Sequence, residues 1–288
     1  MKNNVYMVQM IKINVLLENS TVNAQYKPKH GLSVLIEHEG KKILLDTGPD
    51  NNFAKNAAKM KADLKNADYL FLSHNHYDHT GGINKFLEIN STAPVYLMDN
   101  VSNKYYIKVL FFYKYVGIKL RRNNLSRITS VSNDLSINNK IYFLSNTVSE
   151  YKKPILNKNL FKKENNKIVN DTFDHEGILV LDDNNELVIF NSCSHNGILN
   201  TIETVKSKIP GRKIKAYVGG LHLFNPPKTR KNEYRKYTDY LDYLTEKLKG
   251  LDIVVYTGHC TGKFASNYMK EKLGNLIQKI NTGMELTV

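Results

Sequence analysis

The stretch LSHNHYDHTGG, residues 72–82, constrains this chain more than any other: three histidines and an aspartate fall within six positions, and two glycines follow. The run YLFLS before it reads as a strand and GGINKFLEI after it as a helix. The imidazoles therefore stand on a loop at a strand's C-terminal end, a β-to-α crossing of the kind where α/β proteins keep their ligands. On an extended segment, side chains at i and i+2 point the same way, so His74 and His76 converge. Asp78 and His79 come as the chain turns, and their adjacency sends them to different sides, towards a second point. Gly81 and Gly82 let the backbone fold tightly into the next helix with no Cβ to clash.

A lone histidine is usually a hydrogen-bonded core or surface residue. Four potential ligands in six residues predict a divalent metal site instead, because a catalytic zinc needs a few imidazole or carboxylate donors and one open position. This is not the zinc-protease pattern of two histidines four apart on a helix with a glutamate between them, so further ligands must come from elsewhere. His195, His222 and His259 are available, each after an apolar strand and beside a glycine or a small residue. The expected cofactor is a divalent metal: two zinc ions, with manganese or iron as substitutes. His38 and His175 lie in charged surroundings and are expected to face solvent. The two cysteines, in SCSH (Cys193) and GHC (Cys260), stand close to histidines in the sequence, although small buried thiols in a reducing compartment are the plainer reading.

The rest of the chain reads as an α/β protein. MIKINVLL (10–17) is a strand, and GLSVLIEHEGKKILLDTG (31–48) is two strands joined at a glycine turn. PVYLM is another strand. GILVLDDNNELVIFNSCSH is a hairpin about an Asp/Asn turn, followed by a helix from about Ile198 to Lys208, and IKAYVGGLH and DIVVYTGHC are strands that end in glycine and then histidine. With no Pro/Gly/Ser-rich linker and no repeat of solenoid length, residues 1–288 are expected to form a single domain of two β-rich halves. With 41% hydrophobic and 24% charged residues it is globular rather than disordered. The N-terminal twenty residues lack the apolar core of a signal peptide, and no stretch approaches the roughly 20 apolar residues that span a bilayer. A cytoplasmic protein with no membrane partner is expected.

The formal net charge of +14 fits a small anionic substrate or a nucleic acid. Lysine is spread from end to end and outlines no footprint, so the small substrate is preferred. The segment of about 100–140, with NKYYIKVLFFYKYVGIKLRRNN, could stack bases and neutralise phosphates. It reads better as an inserted cap whose aromatics pack and whose lysines stay wet. A homodimer is left open.

HNHYDH matches the His-x-His-x-Asp-His signature of the metallo-β-lactamase superfamily, and LLDTG (44–48) matches the strand before it. HGLSVLIE, LSHNHYDHTGG, SCSHNGILNTI, VGGLHL and GHCTG, spanning residues 30–262, together resemble the branch named for 7,8-dihydropterin-6-methyl-4-(β-D-ribofuranosyl)aminobenzene-5′-phosphate synthase. The resemblance implies an αββα sandwich with metals at one edge of the packed sheets. It implies that His74, His76 and His195 hold one ion and Asp78, His79 and His259 the other. Asp46 would orient a histidine from behind, and His222 and His30 would face the substrate. Where many superfamily enzymes carry a bridging aspartate, this chain has NSCSH, with Asn191 and Cys193: Cys193 ligates, or water alone bridges, or one ion binds tightly.

The expected function is a metal-dependent hydrolase in which metal-bound hydroxide attacks a phosphoester, thioester or lactone. Asp78 stands at the ions, and His222 donates to the oxyanion or leaving group. A first alternative is a transferase of the synthase type named above. A second is a metal-dependent nuclease using the basic stretch from Lys104 to Arg122, whose RNA binding would weaken steeply with salt. A non-catalytic binder and a two-iron redox protein rank behind these, the latter because the ligand set is histidine-rich and lacks a visible flavin partner.

Overall fold

The computed structural model describes residues 10–224 and 231–288; the first nine residues of the N-terminal stretch read above lie outside it. Alternating and continuous apolar runs build two seven-stranded sheets. The first has the order 285–287, 12–17, 33–38, 41–45, 69–72, 95–97, 128–130; the second has the order 135–137, 141–145, 177–183, 186–190, 213–218, 254–257, 277–279. In these directions both sheets make three antiparallel pairings and then three parallel ones. The second half thus repeats the first, as the sequence suggested.

Local chemistry explains the hairpins. Glu39 and Gly40, and Asn184 and Asn185, take positive φ, which suits the tight turns that match strand twist. Each sheet buries both faces. Ile13, Val34, Ile43 and Phe71 of the first meet Phe143, Leu179, Val188 and Val218 of the second in one shared core. On the outer face of the first sheet lie the helices Asn52–Met60 and Ile83–Ile89, through Phe53, Ile83 and Phe86. On the outer face of the second lie Ile198–Lys208, Lys231–Lys249 and Lys263–Leu273, through Ile202, Leu241 and Met269. The result is four layers, helix–sheet–sheet–helix. Double-sided burial is why Gly177–Asp183 is buried at all seven positions, each large apolar side chain contributing roughly 1.5–3 kcal/mol.

The segment read as an insertion divides. Tyr105–Val109 and Phe112–Tyr115 form a hairpin that joins Leu160–Glu164 and Lys167–Asn170 in a separate four-stranded sheet. Ile128–Ser130 and Leu135–Ile137 instead complete edges of the two large sheets. The small sheet caps one end of the sandwich. Its aromatics pack only in part: Tyr105 is buried, while Leu110 and Phe111 at the hairpin tip are 77% and 96% exposed. Among the described residues no helix is long and apolar enough to cross a membrane.

Candidate metal centre

The loops that follow Tyr69–Leu72, Glu186–Phe190, Lys213–Val218 and Val254–Thr257 all open at the same end of the sandwich, and each carries histidine. His74, His76, His79, His195, His222 and His259 are all buried. The rings of His74, His76 and His195 lie 4.7–5.0 Å apart, centroid to centroid. Asp78 and His79 stand on the single helical turn Tyr77–Thr80. Asp78 Oδ2 is 3.4 Å from His259 Nε2 and 3.7 Å from His79 Nε2. The glycine reading holds too: a Cβ on Gly81 would sit 2.1 Å from the Pro49 carbonyl oxygen and one on Gly82 2.4 Å from that of Thr47.

Hydrogen bonds behind the rings decide which nitrogen faces inward. Asp46 Oδ2 accepts from His79 Nδ1 at 2.7 Å, which leaves His79 Nε2 on the inner side. The same carboxylate oxygen accepts the Ser73 hydroxyl at 2.7 Å, so Ser73 Oγ in turn accepts from His74 Nδ1 at 2.8 Å. Asn157 donates its amide to the His195 carbonyl and accepts from His195 Nδ1. Asn19 donates to the His259 carbonyl and accepts from His259 Nδ1 at 3.0 Å. Four imidazoles thus spend Nδ1–H outward and turn Nε2 inward. His74 Nε2 and His195 Nε2 are buried without any hydrogen-bond partner, an arrangement that is costly unless a ligand completes it.

Electrostatics point the same way. Burial first, then the neighbouring imidazoles, hold His74 and His195 well below the ordinary histidine range. Burial likewise lowers His76 and His259 to about 4 and His222 to about 3. Such rings stay neutral, the form that binds metal. Burial opposes charge on His79 as well, but Asp78 and Asp46 outweigh it and raise that ring. Asp78 runs the other way: burial disfavours its charge, yet His79, His259 and His30 hold it well below the carboxylate range.

Among the described residues, the groups whose donor atoms could grip one cation are His74–Cys193–His195, His79–Cys193–His259, His30–Asp78–His259, Cys193–His222–Cys260 and His76–Asp171–His175. Cys193 occurs in three of them. Its Sγ lies 3.2 Å from His79 Nε2 and 3.4 Å from Cys260 Sγ, so the two cysteines do share one site. Burial and then Cys260 push the Cys193 thiol well above its usual range. His76 is the exception to the expected grouping, since its Nε2 turns towards Asp171. His30 reaches Asp78 at 3.3 Å from a half-exposed position, and the His222 ring lies tilted against His195 at 4.2 Å.

One expectation is overturned. His38 and His175 do not face solvent; they are 3% and 2% exposed. His38 is held by the Asp182 carbonyl across the sheets and His175 by Asp171, so charged neighbours in sequence became hydrogen-bond partners or went elsewhere. Sequence reasoning also missed Glu18, which accepts the His259 N–H, and Glu176, which accepts those of His195 and Asn196. Asn19, Asn157 and Asp171 were missed as well, for none lies in a motif.

Above these groups is a cavity of about 440 Å³. His30, His76, Asp78, Cys193, His195, His222 and His259 form its floor, and Ile107, Val109 and Val116 of the cap hairpin, with Leu156, Leu160 and Phe224, form an apolar wall beside Lys114.

Residues 26–135 match the model of the Metallo-beta-lactamase superfamily, and the four-layer sandwich with its histidine loops at one edge is the architecture expected of it. The chain is a metallo-β-lactamase-fold enzyme. It is 29% identical to 7,8-dihydropterin-6-methyl-4-(beta-D-ribofuranosyl)-aminobenzene-5'-phosphate synthase of Methanocaldococcus jannaschii, over 97% of each chain. It is similar in structure to Tm1679, described as a metal-dependent hydrolase of the beta-lactamase superfamily, with a TM-score of 0.77, 27% identity, and 96% of this chain and 99% of that one covered. Zn(2+)-bound PqqB from Methylobacterium extorquens shares the fold at a TM-score of 0.55 and 9% identity, over 96% of this chain and 100% of that one. A named synthase and a named metal-dependent hydrolase are thus among the proteins the chain is similar to.

Proposed function

We propose that the whole chain works as one domain, a metal-dependent hydrolase of a small ester-type substrate: a phosphoester, thioester or lactone. His74, His76 and His195 would hold one ion and Asp78, His79 and His259 a second, both zinc in the reading preferred here. Cys193, within reach of both groups, would supply sulfur where a bridging aspartate is lacking. The observation that carries this is the set of four imidazoles whose Nδ1–H is tied outward and whose Nε2 points inward. When bound, the ions would supply Lewis acidity towards water and the substrate oxygen.

The chain's own residues would do the rest. The apolar wall orients the substrate body and thins the water around it, and Lys114 is placed to meet a negative charge. His222, buried beside His195 and lining the cavity, would donate a hydrogen bond from its neutral ring to the oxyanion or departing oxygen. The free thiols Cys193 and Cys260 fit a reducing compartment such as the cytoplasm. The test is metal analysis of chelator-free protein with a screen of phosphodiester, thioester and lactone substrates. His195→Ala is expected to lose metal, whereas His222→Asn should keep it and lose about 10²–10³-fold in kcat. Normal metal content in His195→Ala, or full turnover in His222→Asn, would refute the assignment.

A second reading, a transferase of the synthase type, draws on the relative of that name. An apolar wall facing the ligand floor leaves room for a second reactant. Pterin and aminobenzene substrates would then give a coupled product rather than hydrolysis.

A further inference from the structure

His76 Nε2 lies on the side of Asp171 and His175. That nitrogen is buried without a hydrogen bond, and Asp171 Oδ2 stands 4.0 Å away. His175 Nε2 approaches the same carboxylate oxygen at 3.0 Å, while the Asn75 N–H donates to His175 Nδ1 at 3.2 Å. His175 therefore carries its proton on Nε2 and gives it to Asp171. Asn75 is the residue between His74 and His76, so this one imidazole pins the backbone between two ligands.

Asp171 is held in turn. Its Oδ1 accepts the Phe173 N–H at 2.8 Å, and its own N–H donates to Leu160 O of the cap sheet at 3.0 Å. The carboxylate is buried completely. The Tyr105 ring, also from the cap sheet, covers His175 at 4.1 Å. The cap touches the ligand loop again where Tyr77 N–H donates to Val116 O at 2.7 Å. A rigid sheet thus presents one carboxylate to two imidazoles.

The geometry points to Asp171, supported by His175, as a positioning residue for His76: with an ion on Nδ1, its carboxylate, 4.0 Å from His76 Nε2, would draw in to accept that nitrogen's N–H, so that the cap sheet helps to build the metal centre as well as to cover it. The assignment rests on the metal-centre reading above. It pairs with Asp46, which does the same for His79 from the opposite side of the cluster. A carboxylate behind a ligating imidazole fixes its orientation and raises its basicity, and removing such a partner typically costs about 10- to 100-fold in metal affinity.

The experiment is competition for Zn²⁺ against a chromophoric chelator, with the visible spectrum of the Co²⁺ form as a second readout and thermal melting as the check on folding. Asp171→Asn is expected to weaken Zn²⁺ by about 10- to 100-fold, to shift the Co²⁺ bands, and to keep the bound stoichiometry. Asp171→Glu, which restores a carboxylate, should recover part of the affinity. Asp174→Asn, three residues on and exposed, should match the unaltered chain. If Asp171→Asn does not fold, His175→Asn keeps an acceptor for the Asn75 N–H and removes the second partner of Asp171; a smaller loss and a shifted Co²⁺ spectrum are expected. Unchanged affinity in the folded variants overturns the inference alone. Loss of a whole equivalent from Asp171→Asn would make Asp171 a ligand and overturn it too. Absence of Zn²⁺ binding by the unaltered chain would overturn the metal-centre reading itself.

Discussion

His79 Nε2 and His259 Nε2 face each other across 3.2 Å, each with its Nδ1 already committed to a partner behind it. Two lone pairs cannot rest so close. Either a proton or a cation must lie between them.

Without an ion the proton belongs to His79, because Asp78 and Asp46 overcome burial and raise that ring, while burial lowers His259 to about 4 and makes it the acceptor. Binding a divalent ion near pH 7 must therefore expel that proton. Calorimetric titration with Zn²⁺ in buffers of different ionisation enthalpy should show net release of about one proton or more per chain. Buffer-independent heats would remove the shared-proton account.

Asp46 orients two of the proposed ligands at once, His79 directly and His74 through the Ser73 hydroxyl. It also sits at φ 59°, a conformation that asparagine tolerates. Asp46→Asn should therefore keep the backbone turn yet lose control of both tautomers. Zn²⁺ affinity is expected to fall by about 10- to 100-fold, with the melting profile of the metal-free protein far less affected. Equal affinity in the variant would show that ring orientation is set elsewhere.

The metal-free protein should be acid-sensitive in a defined window. An unfolded histidine takes up its proton near 6.5, whereas His76 and His259 in the folded chain refuse it until about 4. Between those values the unfolded state binds more protons, so stability falls as pH drops from 6.5 towards 4 and is retained above 6.5. A shift of that size corresponds to roughly 3 kcal/mol for each ring. Urea melts of chelator-treated protein at pH 7.5 and pH 5 should differ by several kcal/mol, partly offset by His79, whose shift has the opposite sign. A flat profile would mean that the rings are hydrated.

Much of the centre was legible because its signals are local. The period of two in YLFLSHNH puts His74 and His76 on one side, glycines mark the turn after them, and three later strands each end in a histidine. Such patterns depend only on neighbouring residues and on the geometry of strand and turn. The resemblance of the motifs supplied the proposed pairing of distant residues, and the structure brings His79 and His259 together across 180 positions.

What tertiary structure alone decided is which nitrogen of each ring faces inward and which partners sit behind it. Asn157 and Glu176 meet His195, and Asp171 meets His175, from loops with no pattern of their own, and His175 looked solvent-facing among charges until folding buried it against one of them. The reason is physical: a strand's period is written in adjacent residues, whereas a hydrogen bond needs only two groups close in space, at whatever separation along the chain the packing of two sheets and a cap happens to bring them.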